Sequence, residues 1–199
     1  MAEEQQKILV VDDERLNINV LVDLLKPDYK MMAAKNGEQA LKAVKIANPP
    51  DLILLDIMMP EIDGYEVCRR LKADKATRDI PVIFITAMGE TSDETKGLEV
   101  GAVDYLTKPI SPPIVQARVK THLALRRNMA ELQKAYGVIE AQKERMQEEL
   151  NVGRSIQMSM VPQKFPAFPD RDEFSIHAAL HPAREVGGDF YDFFFIDEN

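Results

Sequence analysis

Short apolar runs alternate with longer amphipathic stretches through the first 125 residues. KILVVDDE reads as a strand, and RLNINVLVDLLKPD, with Leu16, Val20 and Leu24 at helical spacing, as the helix that follows. YKMMAA is a weaker strand, and NGEQALKAVKIANPP is a helix opened by Asn36-Gly37 and closed by two prolines. DLILLD leads into the helix DGYEVCRRLKAD, and IPVIFITA into the polar, glycine-punctuated TSDETKGLEVGA. VDYLTKP leads into SPPIVQARVKTHLAL, whose prolines sit near its start, where a helix tolerates them. The strand runs are continuous rather than alternating, as strands buried on both faces should be. Five strand–helix units in succession predict an α/β fold, a doubly wound parallel sheet with helices on both sides.

After Leu125 the pattern changes. Leu125, Met129, Leu132, Tyr136, Ile139, Lys143, Met146 and Leu150 follow one another at spacings of four and three, and all but Lys143 are apolar. That is a heptad seam, and it predicts a coiled coil pairing two copies of the chain in parallel, weakened locally by Lys143. A helix packing on its own domain would show a wider stripe. From Arg154 a proline-broken connector precedes FSIHAAL and FYDFFFI, which read as strands. Between them EVGGDFYD reads, from spacing alone, as a turn. The expected organisation is therefore a domain over 1–124, a linker helix over 125–153 and a partial α+β fragment over 154–199, with a truncated piece and a short natural protein both left open.

Composition narrows the setting. The chain has 199 residues, 45% of them hydrophobic and 29% charged, enough for a packed core. There is no run of 18 apolar residues that would span a membrane, and MAEEQQK is not a signal peptide. One cysteine, Cys68, excludes an internal disulfide framework and suits a reducing cytoplasm. The net charge of -8 argues against a general nucleic-acid binder, though not against a local basic patch. The expectation is a cytoplasmic protein with no nucleic-acid and no membrane partner.

The chemistry gathers at strand ends. In open parallel sheets, ligands bind beyond the carboxyl ends of the strands. Here those positions hold Asp12 and Asp13, Asp56, Thr86 and Lys108. Any one of them alone reads as a turn residue; together they predict a pocket of three carboxylates, a hydroxyl and an ammonium. Crowded carboxylates repel unless a cation lies among them, and oxygen ligands without His or Cys point to magnesium. Asp13, Asp56 and a backbone carbonyl just after the Asp56 strand would supply half an octahedral shell, with Asp12 acting through water. Asp56, central among the contributors, is the expected nucleophile toward phosphorus.

The motifs VVDDE, LLDIMMPEIDG, ITA and YLTKP, in this order, make residues 7 to about 122 resemble the receiver domain of bacterial two-component response regulators. The resemblance implies a flavodoxin-like (βα)5 fold, with Asp56 phosphorylated by a histidine kinase. It implies Asp12, Asp13, Asp56 and the Met58 carbonyl as magnesium ligands, and Thr86, Ala87 and Lys108 around the phosphoryl group. It implies Thr86 and Tyr105 as switch residues and a cis bond before Pro109. The weakly anchored helix near 91–101 is expected to transmit the change. In the same way IQMSMVPQKFP followed by HPAREVGGDFYDFF resembles the start of a PPM-type (type 2C) serine/threonine phosphatase domain. That implies Asp189 and the Phe190 carbonyl as ligands of a manganese or magnesium centre acting on a phosphoprotein. With its later acidic ligands missing, the piece is expected to have no turnover.

The combined expectation is a phosphorelay regulator that signals through a dimeric coiled coil to a phosphatase output. The alternatives are a phosphate-independent dimerisation scaffold, a transcription factor, and a phosphatase built on the Asp56 pocket. The intact acidic pair, Thr86 and Lys108 disfavour the scaffold. The absence of a basic helix-turn-helix after residue 125 disfavours the transcription factor, and a lack of substrate-binding elaboration disfavours the last.

Overall fold

The computed structural model describes residues 5–87, 99–162, 164–165, 167–168, 170, 176–180, 186–187 and 191–194. The chain divides into two compact units, Met1–Glu131 and Leu132–Asn199. The first unit alternates β1 (Lys7–Val11), α1 (Arg15–Leu25), β2 (Lys30–Ala34), α2 (Gly37–Ala43), β3 (Leu52–Asp56), α3 (Gly64–Ala73), β4 (Val82–Ala87) and β5 (Asp104–Lys108). A final helix, α4 (Pro112–Met160), begins in the first unit and runs into the second.

The five strands form one parallel sheet in the order β2-β1-β3-β4-β5. Side chains alternate across it. Leu9, Val11, Ile53, Leu55, Val82 and Phe84 pack with Ala40, Val67, Cys68 and Leu71 of α2 and α3. Ile8, Val10, Leu52, Leu54, Ile83 and Ile85 pack with Ile18, Leu21 and Leu25 of α1 and Val115, Val119 and Leu123 of α4. Each fully buried Leu or Ile contributes roughly 1.5–3 kcal/mol relative to exposure. This double burial is why the strand runs are continuous.

On α1 the buried stripe is Ile18, Leu21 and Leu25, whereas Leu16 and Val20 are exposed. Both stripes have helical spacing, so periodicity alone does not choose between them. The sheet takes up Ile18, Leu21 and Leu25 with Val22 and Leu24 half-buried beside them, and the helix start is tied down where Asp12 accepts from the Glu14 backbone and from Asn17.

Two helix starts are capped as their sequences suggest. Asn36 accepts from the Gln39 amide and Asp63 from the Glu66 amide. Gly64 is required by contact, because a Cβ there would lie 2.3 Å from the Asp56 carbonyl oxygen. The helix expected to close at two prolines ends earlier, at Ala43.

In the second unit the strands expected in FSIHAAL and FYDFFFI are not found among the described residues: 176–180 and 191–194 carry no strand. The expected α+β fragment is corrected accordingly. An apolar run becomes a strand only with an edge to pair against, and among the described residues a backbone hydrogen bond from Ala167 N to Ile176 O ties FSIHAAL to the preceding connector without forming a ladder. The helix expected near 91–101 falls largely outside the described residues, as do Asp189 and Phe190. Among the described residues no helix is long and apolar enough to cross a membrane.

Candidate functional site

β1 and β3 are neighbours and both end in acid, so Asp12 and Asp56 emerge side by side at the carboxyl edge of the sheet. Ligand atoms of Asp12, Asp13 and Asp56 all lie within 4.8 Å of one another. Asp12 is fully buried, Asp56 is 3% exposed, and Asp13 faces solvent. β5 delivers Lys108, whose Nζ lies 3.0 Å from Asp56 Oδ1 and 3.1 Å from Asp12 Oδ2.

Asp12 is held from several sides. Its Oδ1 accepts from the Glu14 amide at 2.9 Å and from Asn17 Nδ2 at 3.0 Å. Its Oδ2 accepts from the same Asn17 amide at 3.1 Å and from Lys108. Asn17 also donates to Glu14 Oε2 at 3.2 Å. Sequence reasoning missed Asn17. The signal available was an amide five residues past a strand-end acid, on the first turn of the next helix.

Burial pushes the Asp56 carboxyl up to about 6; the Lys108 hydrogen bond pulls it down, and the Asp12 charge adds to the rise. For Lys108, burial alone would lower the ammonium's pKa, but its hydrogen bonds to Asp56 and Asp12 prevail and raise it. The donor set is oxygen only and anionic, and one ammonium does not neutralise three carboxylates. That chemistry fits a hard divalent cation such as magnesium.

The remaining expected site residues are placed as follows. Thr86 is half-buried at the end of β4, and its hydroxyl donates to the Ala87 carbonyl at 3.1 Å. Met58 lies two residues past Asp56 with its side chain 75% exposed. Tyr105 is half-buried on β5, with the Arg118 guanidinium 5.9 Å from its ring centre. The Lys108–Pro109 peptide is cis. A second ion cluster, also missed, ties β5 to α4: Asp104 accepts from Arg118, pairs with His122 Nε2 at 3.0 Å, and accepts from the Tyr105 amide at 2.8 Å. Burial opposes ionisation of Asp104, yet Arg118 and His122 together hold its pKa below the usual carboxylate value. Its signal was an arginine and a histidine at i, i+4 on one helix face.

The sequence profile of the response regulator receiver domain matches residues 8–120. The chain belongs to that family. It is 45% identical over 124 residues to a probable cyclic di-GMP phosphodiesterase of Vibrio cholerae, a match covering 62% of this chain and 28% of that protein. It is 46% identical over 119 residues to the alkaline phosphatase synthesis transcriptional regulatory protein PhoP of Bacillus subtilis, covering 59% of this chain and 48% of that one. The solved BeF3-activated receiver domain of DrrB, a Thermotoga maritima protein, is 33% identical, with TM-score 0.56, covering 61% of this chain and 99% of that structure. The chain thus spans half or less of these two curated relatives.

These likenesses correct part of the sequence reading. The expected relay to a PPM-type phosphatase, the hydrolase activity of a longer parent and the phosphoprotein substrate find no support. PhoP and further relatives matched over the same stretch are transcriptional regulators. The phosphatase expectation rested on two short segments, IQMSMVPQKFP and HPAREVGGDFYDFF, too little to specify a domain, and no separate phosphatase metal site is supported. Excluding nucleic acid as a partner is corrected too, as is setting aside a transcriptional output. Net charge describes the surface of this chain, and relatives with this receiver are named as regulators of transcription.

Proposed function

We infer that the receiver is a phosphoacceptor switch: Asp56 takes a phosphoryl group from a histidine kinase, and the changed state regulates a partner. Transcription is the output class named for several relatives. The observation that carries this reading is Asp56 itself, a carboxylate 3% exposed, beside two further acids and held by Lys108. With its pKa at about 6 it is ionised at neutral pH and basic enough to attack phosphorus. In the transfer, an Asp56 oxygen forms the O–P bond as the N–P bond of the kinase's phosphohistidine breaks. The imidazole leaves with the electron pair and takes up a proton.

Asp12, Asp13 and Asp56, with the Met58 carbonyl, are the residues that would hold magnesium. Bound there, the ion supplies positive charge against the oxygens of the phosphoryl group. In this reading the Lys108 ammonium meets the same oxygens from the protein side, with the Thr86 hydroxyl and the Ala87 backbone as further partners for them. Thr86 and Tyr105 are the residues through which the altered pocket is read. Residues 1–124 form the receiver in this reading, and 125–153 a linker helix.

The test is incubation of the chain with magnesium and acetyl phosphate, followed by intact mass measurement. One added phosphoryl group is expected, absent in Asp56→Asn. A phosphorylated Asp56→Asn chain, or an unmodified wild type, would overturn the reading.

A further inference from the structure

Two helical segments of α4 treat their apolar residues in opposite ways. Val115, Val119 and Leu123 are buried against the sheet, between 0% and 1% exposed. From Leu125 onward the large apolar side chains lie open: Leu125 51%, Met129 63%, Leu132 58%, Tyr136 64%, Ile139 58% and Met146 62% exposed. Six such residues in one narrow line are not the scattered exposure of an ordinary surface.

The same line continues, by steps of four and three, through Leu150, Gly153 and Gln157. There the chain covers it. Leu150 and Gly153 are half-buried, and a Cβ at Gly153 would meet Val186 at 3.4 Å. Gln157 is 4% exposed and exchanges two hydrogen bonds with the Gly187 backbone, at 2.7 and 2.9 Å. The stripe is closed by its own chain from about residue 150 and open before it.

We propose that the open stripe from Leu125 to Met146 is the surface on which a second copy of this chain docks, helix to helix and parallel. A line repeating every 3.5 residues stays in contact only with another helix wound around it. The flanking residues suit a second copy of the same sequence. In parallel register they would face one another as Asn128 with Gln133, Ala135 with Glu140 and Gln142 with Gln147. None of these flanking pairs sets like charges against each other, and the like charges that do meet are the two Lys143 ammoniums in the seam itself, the local weak point of the pairing. Lys143, which interrupts the seam, has Glu140 Oε1 of its own helix 3.5 Å away. Twelve half-exposed side chains from two helices remove on the order of 1,000 Å² from water, the size a specific interface requires.

Single cysteines test this in the full chain, because the native Cys68 is buried and its thiol is pushed up to about 11 by that burial. Leu132→Cys and Met146→Cys, oxidised separately, are each expected to give a disulfide-linked dimer; Lys134→Cys, on the outer face, is not. Linkage only in a mixture of Leu132→Cys with Lys143→Cys would mean antiparallel pairing and overturn the proposal. Sedimentation equilibrium is expected to show a wild-type dimer whose dissociation constant rises about 100-fold in the double variant Leu132→Glu, Ile139→Glu, as charges enter the seam. Circular dichroism checks that this variant keeps its helix. A wild type monomeric at every concentration, or a dimer untouched by the double variant, would also overturn it.

Discussion

The Nζ of Lys108, at the end of β5, lies 3.0 Å from Oδ1 of Asp56, at the end of β3. Burial drives the Asp56 carboxyl toward its neutral form, and Lys108 works against that. Removing the ammonium in Lys108→Met should therefore move the Asp56 pKa above its value of about 6. The change is readable from the side-chain carboxyl carbon by NMR. An unchanged midpoint would mean that the contact is not maintained in solution.

The pH dependence of stability has a definite sign. Asp56 titrates near 6 when folded and near 3.8 when free, so between those values the folded chain holds the extra proton. Without metal, stability at this group falls as pH rises from 4 to 6 and stays low above that. Asp56→Asn removes the penalty and should stabilise the metal-free chain at pH 7 by about 3 kcal/mol. At pH 4 the gain should be much smaller. Thermal unfolding at both pH values checks this; an equal gain at both would refute the link to ionisation.

Magnesium and a proton compete for the same carboxylate. Apparent magnesium affinity should be flat above neutrality and fall about tenfold per pH unit below 6. Isothermal titration calorimetry across that range gives the profile, and a flat one would remove Asp56 from the ligand set.

Asn17 fixes both oxygens of Asp12 from one amide. Asn17→Ala should lower magnesium affinity about 10-fold or more, in the range for groups that orient a ligand, while leaving the helical signal in circular dichroism unchanged. Equal affinity would mean that the Glu14 amide and Lys108 suffice to hold Asp12.

Gly64→Ala should be severe for a reason unrelated to chemistry. Its Cβ would meet the Asp56 carbonyl oxygen at 2.3 Å, backbone against side chain, with nothing flexible to give way. A loss of about 4 kcal/mol or more is expected in denaturant unfolding. A loss under 1 kcal/mol would show that α3 can shift away from β3.

The sheet was legible in the sequence because its central strands β1, β3 and β4 are apolar on both faces, as the fully buried Leu52–Leu55 run illustrates. The acid pocket was legible because strand ends converge wherever strands are parallel, so Asp12, Asp56 and Lys108 needed no knowledge of contacts. What resisted reading depends on how a helix is rotated. Leu16, Val20 and Leu24 recur at helical spacing as Ile18, Leu21 and Leu25 do, and it is packing of the helix on the sheet that buries the second set. Asn17 and the Asp104–Arg118–His122 cluster were missed for the same reason: their partners are set by that rotation. The second unit was misread because FSIHAAL and FYDFFFI look like strands in isolation, while a strand requires a neighbour.

The strand order has a consequence for how the pocket is made. β5 joins the sheet at its edge, by pairing with β4 alone, and it brings Lys108. A growing chain emerges from the ribosome amino end first. β1, β2, β3 and β4 are thus available to pair before residue 108 has been synthesised. In that interval Asp12, Asp13 and Asp56 meet without the ammonium, and their mutual repulsion is balanced only by ions from the surroundings. The counter-charge of the site is the last part of the sheet to arrive.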